Sequence, residues 1–498
     1  MYKVSLVLLC LTIWCCQVEA QVFPKEGSEL YYRIIGFSVP ALPSVISYRF
    51  EIAAGSYAND QDFEKKIKIN TLSKQHKVIA EVPSFGSRYT WRVSYIAKNG
   101  ILSKSMLFHF STRTSPDVDN AVTRLRVTKP AERYKDNYVF IDEASVLYDM
   151  KGKPIWFLPG KKKQDNPNKL PRDIKITPAG TITYLQECQP YEIDYNGNYL
   201  WHYDGHETNA PLDTFHHEFT RLTNGHYMGM MLDNVILKQN FAKDNAFRKD
   251  STDHYQKIGF SNLVELDEKG HIVWRWNGLD YVTHSDLSFM KNSDLPILDL
   301  DFHQNAFYFD EKNNYIYLSF RDIWRVIKIK YPEGNLVNTY GPIYSANDSV
   351  LQGGPFCYQH SCKLSREGYL YLFNNNHCGA GNVPTVMMLR ETVPGGNGLK
   401  KVWEYQCTIE DPVIAHENPG FLSGGNVQEM PDGPLFVSMG APYSKVFIVA
   451  RDKRVLWSAM PERYNVEYGK WGLPIGVYRA SIITREDLEK LIWNSERE

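Results

Sequence analysis

Apolar and polar residues alternate in short runs along almost the whole chain, the two-residue period of half-buried strands rather than the 3.6-residue period of helices. From about residue 136 the runs recur in a frame in which one residue opens a strand and a turn glycine follows eight positions later: His217 and Gly225, His360 and Gly368, Arg172 and Gly180, Gly425 and Gly433. Residues 303–314, opened by His303, repeat it with a slightly longer turn. A second pattern is a hairpin ending in an aromatic residue. Residues 147–156, 192–201 and 265–274 end in Trp156, Trp201 and Trp274, and looser copies end in Tyr340, Trp403 and Trp457. Each hairpin joins one strand-turn-strand, so six units of four strands predict a six-bladed β-propeller over residues 136–483. Residues 138–141 and 477–483 are the candidates for closing its ring. Thr484 to Asp487 reads as a capping box opening a short helix through Trp493, within a tail of residues 484–498.

Residues 21–115 form a separate set of alternating runs, at 31–35, 47–52, 66–69, 76–82, 88–95 and 106–111, separated by Gly, Pro, Asn and Ser. The order Tyr89-x-Trp91-x-Val93 is similar to the penultimate strand of a fibronectin type III sandwich, so an Ig-like or fibronectin-like β-sandwich is expected here. Residues 116–135, with the polar stretch from Thr112 to Asp119, read as a linker. The fold class is all-β throughout.

The 498 residues suffice for two or three domains, and a formal net charge of -1 gives no reason to expect a nucleic-acid partner. The 32 tyrosines and 11 tryptophans suit strands. Lys3, the apolar run from Val4 to about Trp14, and Val18-Glu19-Ala20 read as a secretory signal over residues 1–20. That run is shorter than the ~20 residues needed to cross a bilayer. The expectation is a secreted or periplasmic protein with no membrane span. Three of the eight cysteines fall in the signal; Cys188, Cys357, Cys362, Cys378 and Cys407 remain, enough for one or two disulfides and an odd thiol. No paired Cys-x-x-Cys spacing points to zinc.

His217, His303 and His360 open first strands, which in a propeller line the central channel, and Arg321 follows the His303 turn in Ser319-Phe-Arg321. One histidine at a strand start is more often structural, and one arginine more often an ion pair. Three imidazoles in one frame with a guanidinium instead suit transfer of an anionic group, supplying a nucleophile or base and donors for developing charge. His202, His206, His226, His271, His284, His377 and His416 fall in turns or outside the frame. The chain has no phosphate-cradling glycine loop, no Gly-x-Ser-x-Gly and no His-Glu-x-x-His.

These residues resemble the bacterial, PAPS-independent arylsulfate sulfotransferase family. The matching pieces are Phe215-His-His-Glu-Phe-Thr-Arg-Leu-Thr-Asn-Gly225, Asp301-Phe-His-Gln-Asn305, Ser319-Phe-Arg321, Gln359-His360 with Phe373-Asn-Asn, and Gly424-Gly-Asn-Val-Gln428. The resemblance implies that an aryl sulfate passes its sulfuryl group to a histidine and then to a phenol. His360 would be the nucleophile and Arg321 a binder of sulfuryl oxygens. His303 and His217 would hold those oxygens and exchange protons with the phenols, and Asn305 and His216 would bind substrate. No cofactor or metal is implied, the partners are small-molecule donor and acceptor, and a homodimer is left open. A disulfide of Cys357 with Cys362 or Cys378 is implied beside the nucleophile. The chain departs from the family pattern at Glu218 and Ser361, where Asp is common, at Arg366-Glu-Gly, and at Asn374 after Phe373. Two other readings of the same residues are a histidine-ligated metal site in a propeller hydrolase or lyase and a secreted binding propeller without catalysis.

Overall fold

The alternating runs are strands in the computed structural model, which describes residues 22–142, 144–160, 170–203, 205, 214–239, 254–292, 300–344, 350–352, 354–378, 383–392, 398–408, 424–440, 443–472 and 477–495. The signal-like segment and His206 and His416 lie outside the described residues. The chain divides into two compact units, Met1–Arg113 and Thr114–Glu498.

In the first unit one sheet runs Ser28–Leu30, Phe108–Thr112, Arg88–Ala97, Ser47–Ala54, Ile69–Ser73, and a second pairs Ile34–Ser38 with Lys77–Glu81. Phe37 of the small sheet meets Trp91 and Phe110 of the large one edge-on, at centroid distances of 5.2 and 5.9 Å. The run expected at 66–69 instead starts at Ile69, because a helical turn, Asp60–Glu64, capped by the Asn59 side chain, occupies the preceding residues. Charged Asp and Glu mask that turn in a search for alternation.

Among the described residues of the second unit, six sheets each contain four antiparallel strands in series. Their first strands are Arg172–Ile176, Phe215–Arg221, Gln304–Asp310, Gln359–Leu364, Asn426–Glu429 and Ala480–Ile483. The last comes from the chain's end and pairs with Tyr138–Ile141 from its beginning, as the closure residues anticipated. Each first strand lies against the next, and Ala480–Ile483 returns to Arg172–Ile176. Side chains near the strand starts tie each neighbour's backbone. Asp173 accepts from Phe219 N–H at 3.0 Å and Glu218 from Phe307 N–H at 3.1 Å, while Asn305 donates to the Gln359 carbonyl at 2.8 Å. Ser361 accepts from Val427 N–H at 3.4 Å, Asn426 donates to the Ala480 carbonyl at 2.8 Å, and Ser481 donates to the Ile174 carbonyl at 2.9 Å.

Bulges make the first four of these links. The first four strands each slip register near their start, and Asp173, His217 and Ser361 take φ of 56, 62 and 54° there. A bulge leaves a residue out of the ladder and re-aims its side chain, so a buried N–H on the next strand gains an acceptor. The aromatic hairpin ends serve the outer rim in the same repeating way. The indole N–H groups of Trp156, Trp201, Trp274, Trp403 and Trp457 donate to the carbonyls of Tyr195, Glu268, Pro332, Arg451 and Met150, each in the next sheet's outer hairpin. Tyr340, the exception in sequence, donates its hydroxyl to Glu391.

Within residues 116–135, expected as a linker, one segment is a strand of the last sheet. Thr123–Lys129 pairs antiparallel with Val455–Asn465, and Arg124 and Arg126 both hold Glu462. Two arginines on one face made a polar strand look like a tether. The C-terminal helix is Arg485–Asn494, with the expected Thr484 and Asp487 capping box.

Arg479, next to the last first strand, is the central ionic tie. Buried at 5% exposure, it contacts Asp173 at 2.9 Å and Glu218 at 3.4 Å and donates to the Asn305 carbonyl at 2.8 Å, joining four first strands. Lys175 and Lys363 lie 3.5 and 3.7 Å from Glu218, and these cations hold its carboxyl down at about 2 despite burial. Arg479→Met is expected to destabilise the fold by about 3–5 kcal/mol, because it strands two buried carboxylates. Urea unfolding of the two proteins side by side reads the difference; a loss under about 1 kcal/mol contradicts the central role.

Candidate functional site

Local backbone geometry brings the sequence-selected residues together. His303 and Arg321 sit at the same end of one hairpin: the Arg321 N–H donates to the His303 carbonyl at 3.0 Å, so their spacing is the length of the hairpin between them. His303 has φ of 50°, and its own N–H donates to Asp301. His217 lies in the bulge of its strand and faces His303, with their Nε2 atoms 3.2 Å apart. His360 precedes a smaller bulge at Ser361, and its ring feels the charge of Arg321 and neighbours His303. The shared spacing to the turn glycine therefore conceals two geometries: His360 is paired in its ladder with Phe373, while His217 is squeezed out of its own.

His216, His217 and His303 form a chain. The Ser261 hydroxyl lies 2.8 Å from His216 Nε2, His216 Nδ1 meets His217 Nδ1, His217 Nε2 meets His303 Nε2, and His303 Nδ1 faces Asp322 at 4.0 Å. A neutral imidazole has one N–H and one lone pair, so all bonds of the chain run in one direction, and an anionic Asp322, 4.0 Å from its end and beyond hydrogen-bond reach, favours the direction toward it. Ser261 donates to His216, His216 to His217, His217 to His303, and His303 points its Nδ1–H at Asp322. Both nitrogens of His216 are thus engaged by protein, and Asn305 gives its amide N–H to the Gln359 carbonyl; each supports neighbours of the site.

At His360, Nε2 accepts from Gly424 N–H at 3.2 Å, and the Tyr358 carbonyl lies 3.3 Å from Nδ1. The neutral ring therefore carries its proton on Nδ1 and its lone pair on Nε2. The Asn375 amide nitrogen lies 2.8 Å from the same Nδ1 and 3.4 Å from the Gly424 carbonyl, to which it donates. Gly424 has φ of 79°, and a Cβ there would meet the Tyr478 carbonyl at 2.3 Å, so only glycine brings this N–H to the ring. Arg321 is oriented by Asp322 through Nε at 2.6 Å, and its two terminal nitrogens make no hydrogen bond among the described residues. The Cys357–Cys378 disulfide pins the chain three residues before His360, while Cys362 is buried and free.

Burial drives all four imidazoles toward the neutral form. His216 titrates at about 4, and His303, lowered further by Arg321, at about 3; His217 and His360 are also held well below the ordinary histidine value of 6.5, first by burial and then by neighbouring positive groups. The unfolded chain takes up protons near pH 6.5 that the folded one refuses, so stability from these groups is complete above that pH. It is lost as pH falls toward 3, at about 1.4 kcal/mol per pH unit for each proton. Urea unfolding at pH 7.5 and 5 is expected to show a marked loss at pH 5. A flat profile would contradict neutral, buried imidazoles.

Tyr478 was not singled out by the sequence. Its ring lies 5.7 Å from that of His217 and 6.2 Å from that of His360, under the Arg172 guanidinium at 5.0 Å, and its buried hydroxyl has no hydrogen-bond partner among the described residues. Extending the strand-start frame to the closing strand would have found it, because it sits just before that strand, as His217, His303 and His360 sit at the starts of three others. His226 and His271, by contrast, pair with Glu265 and Asp267 away from the frame. A cavity of about 410 Å³ further along the first strands is lined by Lys175, Lys363 and Arg479 and contains none of the site histidines. Among the described residues no group of three His, Cys, Asp or Glu side chains is set to hold a metal ion, and no helix is long and apolar enough to cross a membrane.

Four-stranded sheets in series, with neutral imidazoles and a guanidinium gathered at the starts of their first strands, define a propeller-like all-β protein with a centre suited to an oxyanion. The chain belongs to the arylsulfotransferase (ASST) family, whose model matches residues 124–392. No curated protein matches it. Among solved structures, the periplasmic gluconolactonase PpgL of Pseudomonas aeruginosa aligns over 73% of this chain and 99% of its own, at 12% identity and a TM-score of 0.37. Apo AztD from Citrobacter koseri aligns over 88% and 98%, at 9% identity and a TM-score of 0.31.

Proposed function

We propose that this protein is an exported, PAPS-independent arylsulfate sulfotransferase that works through a sulfohistidine. The architecture proposed with it is a fibronectin-like sandwich before a six-bladed propeller, with export by the residue 1–20 signal. The observation that carries the reading is the meeting of His217, His303 and His360 with an Arg321 whose terminal nitrogens make no hydrogen bond among the described residues. The cyclic order of the six first strands and the two facing sheets of the first unit support the architecture.

His360 Nε2, released from the Gly424 N–H, attacks sulfur, the sulfur–oxygen bond to the aryl group breaks, and a phenolate departs. The ring becomes an N-sulfoimidazolium whose Nδ1 proton faces the Tyr358 carbonyl and Asn375. Arg321 holds sulfuryl oxygens throughout. The anionic ester raises the proton affinity of the adjacent imidazoles, so as it binds the His217–His303 contact opens, and the freed His303 Nε2 takes up a proton that it gives to the phenolate while His217 Nε2–H holds a sulfuryl oxygen. In the second half the acceptor phenol loses its proton to the same imidazole, its oxygen attacks sulfur, and the N–S bond breaks to restore neutral His360.

The test is a chromogenic aryl sulfate with and without phenol. Colour release that needs phenol and persists with chelator supports the transferase. Release without acceptor indicates a sulfatase, loss to a chelator with recovery on zinc indicates the metal reading, and no release leaves a binding protein.

A further inference from the structure

Aromatic side chains that this chemistry leaves unused border both Arg321 and His360. Trp324 ends the turn that begins at Arg321, donating its backbone N–H to the Arg321 carbonyl at 3.2 Å. Tyr358 stands two residues before His360, with its carbonyl 3.3 Å from His360 Nδ1. The Trp324 and Tyr358 rings lie 5.7 Å apart. Phe289 braces Trp324 edge-on at 5.1 Å and is itself stacked on Tyr344 at 3.9 Å, while His377 meets Tyr358 edge-on at 5.3 Å. The Tyr358 side chain is also within electrostatic reach of Asp322 and Arg321.

Two features separate this pair from ordinary core packing. Trp324 and Tyr358 have φ of 53 and 52°, a left-handed conformation that bulky residues adopt only where their surroundings impose it, and such outliers gather at working sites. Both are only half-buried, each braced on one side by the rings named above, and the buried Trp324 indole nitrogen has no hydrogen-bond partner among the described residues. In an aryl sulfate the ring is joined to sulfur through a single oxygen. With sulfur before His360 and its oxygens on Arg321, the ring must fall close to both residues, and Trp324 and Tyr358 follow one and precede the other.

We propose that Trp324 and Tyr358 form the aromatic wall that receives the aryl ring of donor and acceptor in turn, and that this wall selects aromatic substrates. The proposal rests on the reading of His360 and Arg321 as the sulfuryl site. Offset or edge-on contact with an indole and a phenol suits a flat π-system and gives an alkyl chain less.

The test uses the full-length protein, with 4-nitrophenol binding measured by calorimetry and 4-nitrophenyl sulfate as donor. Trp324→Leu is expected to weaken 4-nitrophenol binding by roughly tenfold or more and to raise KM by about the same factor with kcat nearly unchanged, as for lost uniform binding. Trp324→Phe, which keeps a ring, recovers most of both. Tyr358→Leu carries the same expectation if Trp324→Leu does not fold. Equal binding by wild type and the leucine variants, or no binding by wild type, overturns the wall. Binding that depends on Trp324 in a protein that turns over no aryl sulfate upholds the wall and removes the transferase reading instead.

Discussion

His360→Ala is expected to abolish sulfuryl transfer while leaving the protein folded. The imidazole is held by directional bonds from Gly424 N–H and at the Asn375 amide, and its ring faces other polar groups rather than an apolar cluster. Its loss therefore removes the nucleophile and opens a small polar space that water can fill, a milder change than emptying a hydrophobic core. Mass spectrometry after exposure to donor without acceptor should find the sulfuryl increment on the peptide containing His360, and none in the variant. Label on another residue, with transfer intact in His360→Ala, would sink the assignment. His217→Ala and His303→Ala are expected to slow both half-reactions without preventing the label, because they handle oxygens and protons rather than the covalent bond.

The second large effect is expected at Arg321→Lys. Asp322 fixes the guanidinium through Nε, which leaves both terminal nitrogens for an oxyanion. Lysine keeps the charge but has no planar fork and no Nε for Asp322 to hold, so the ammonium is neither oriented nor bidentate. Turnover should fall by about 10²-fold or more, the usual cost of one lost transition-state donor, with less effect on KM. Single-turnover kinetics with an aryl sulfate separate the two; a variant within about threefold of wild type would show that Arg321 holds an ion pair and no substrate. A chelator-sensitive protein that tolerates this substitution would instead point to the histidines as metal ligands.

The reach of the sequence is clearest in the repeats. The turn glycine eight positions after His217 and His360 located the strand starts, because a two-residue period and a tight turn are local properties of the chain. The aromatic hairpin ends were legible for the same reason, although their shared task of binding the next sheet's carbonyls needs the neighbouring sheet in place. The strand Thr123–Lys129 inside the expected linker was not legible because its partner strand and Glu462, which neutralises Arg124 and Arg126, lie more than 300 positions away. Tyr478 was missed because the closing strand was considered for pairing and not for what precedes it.

Glu218 and Ser361, which depart from the family pattern, each directly follow a site histidine. Neither side chain touches an imidazole in the described hydrogen bonds: Glu218 serves Phe307 N–H and Arg479, and Ser361 serves Val427 N–H. Histidine orientation is set instead by Ser261, Gly424, Asn375 and Asp322, from four other places in the chain. Alternation, turn chemistry and caps are written in neighbouring residues, so the sequence by itself determined an all-β chain, its repeats and the residue types of its centre. Bulge sizes, the direction of the imidazole chain and the neutrality of its members depend on which distant groups come within about 4 Å and how much water they exclude. Those were decided only by the tertiary structure.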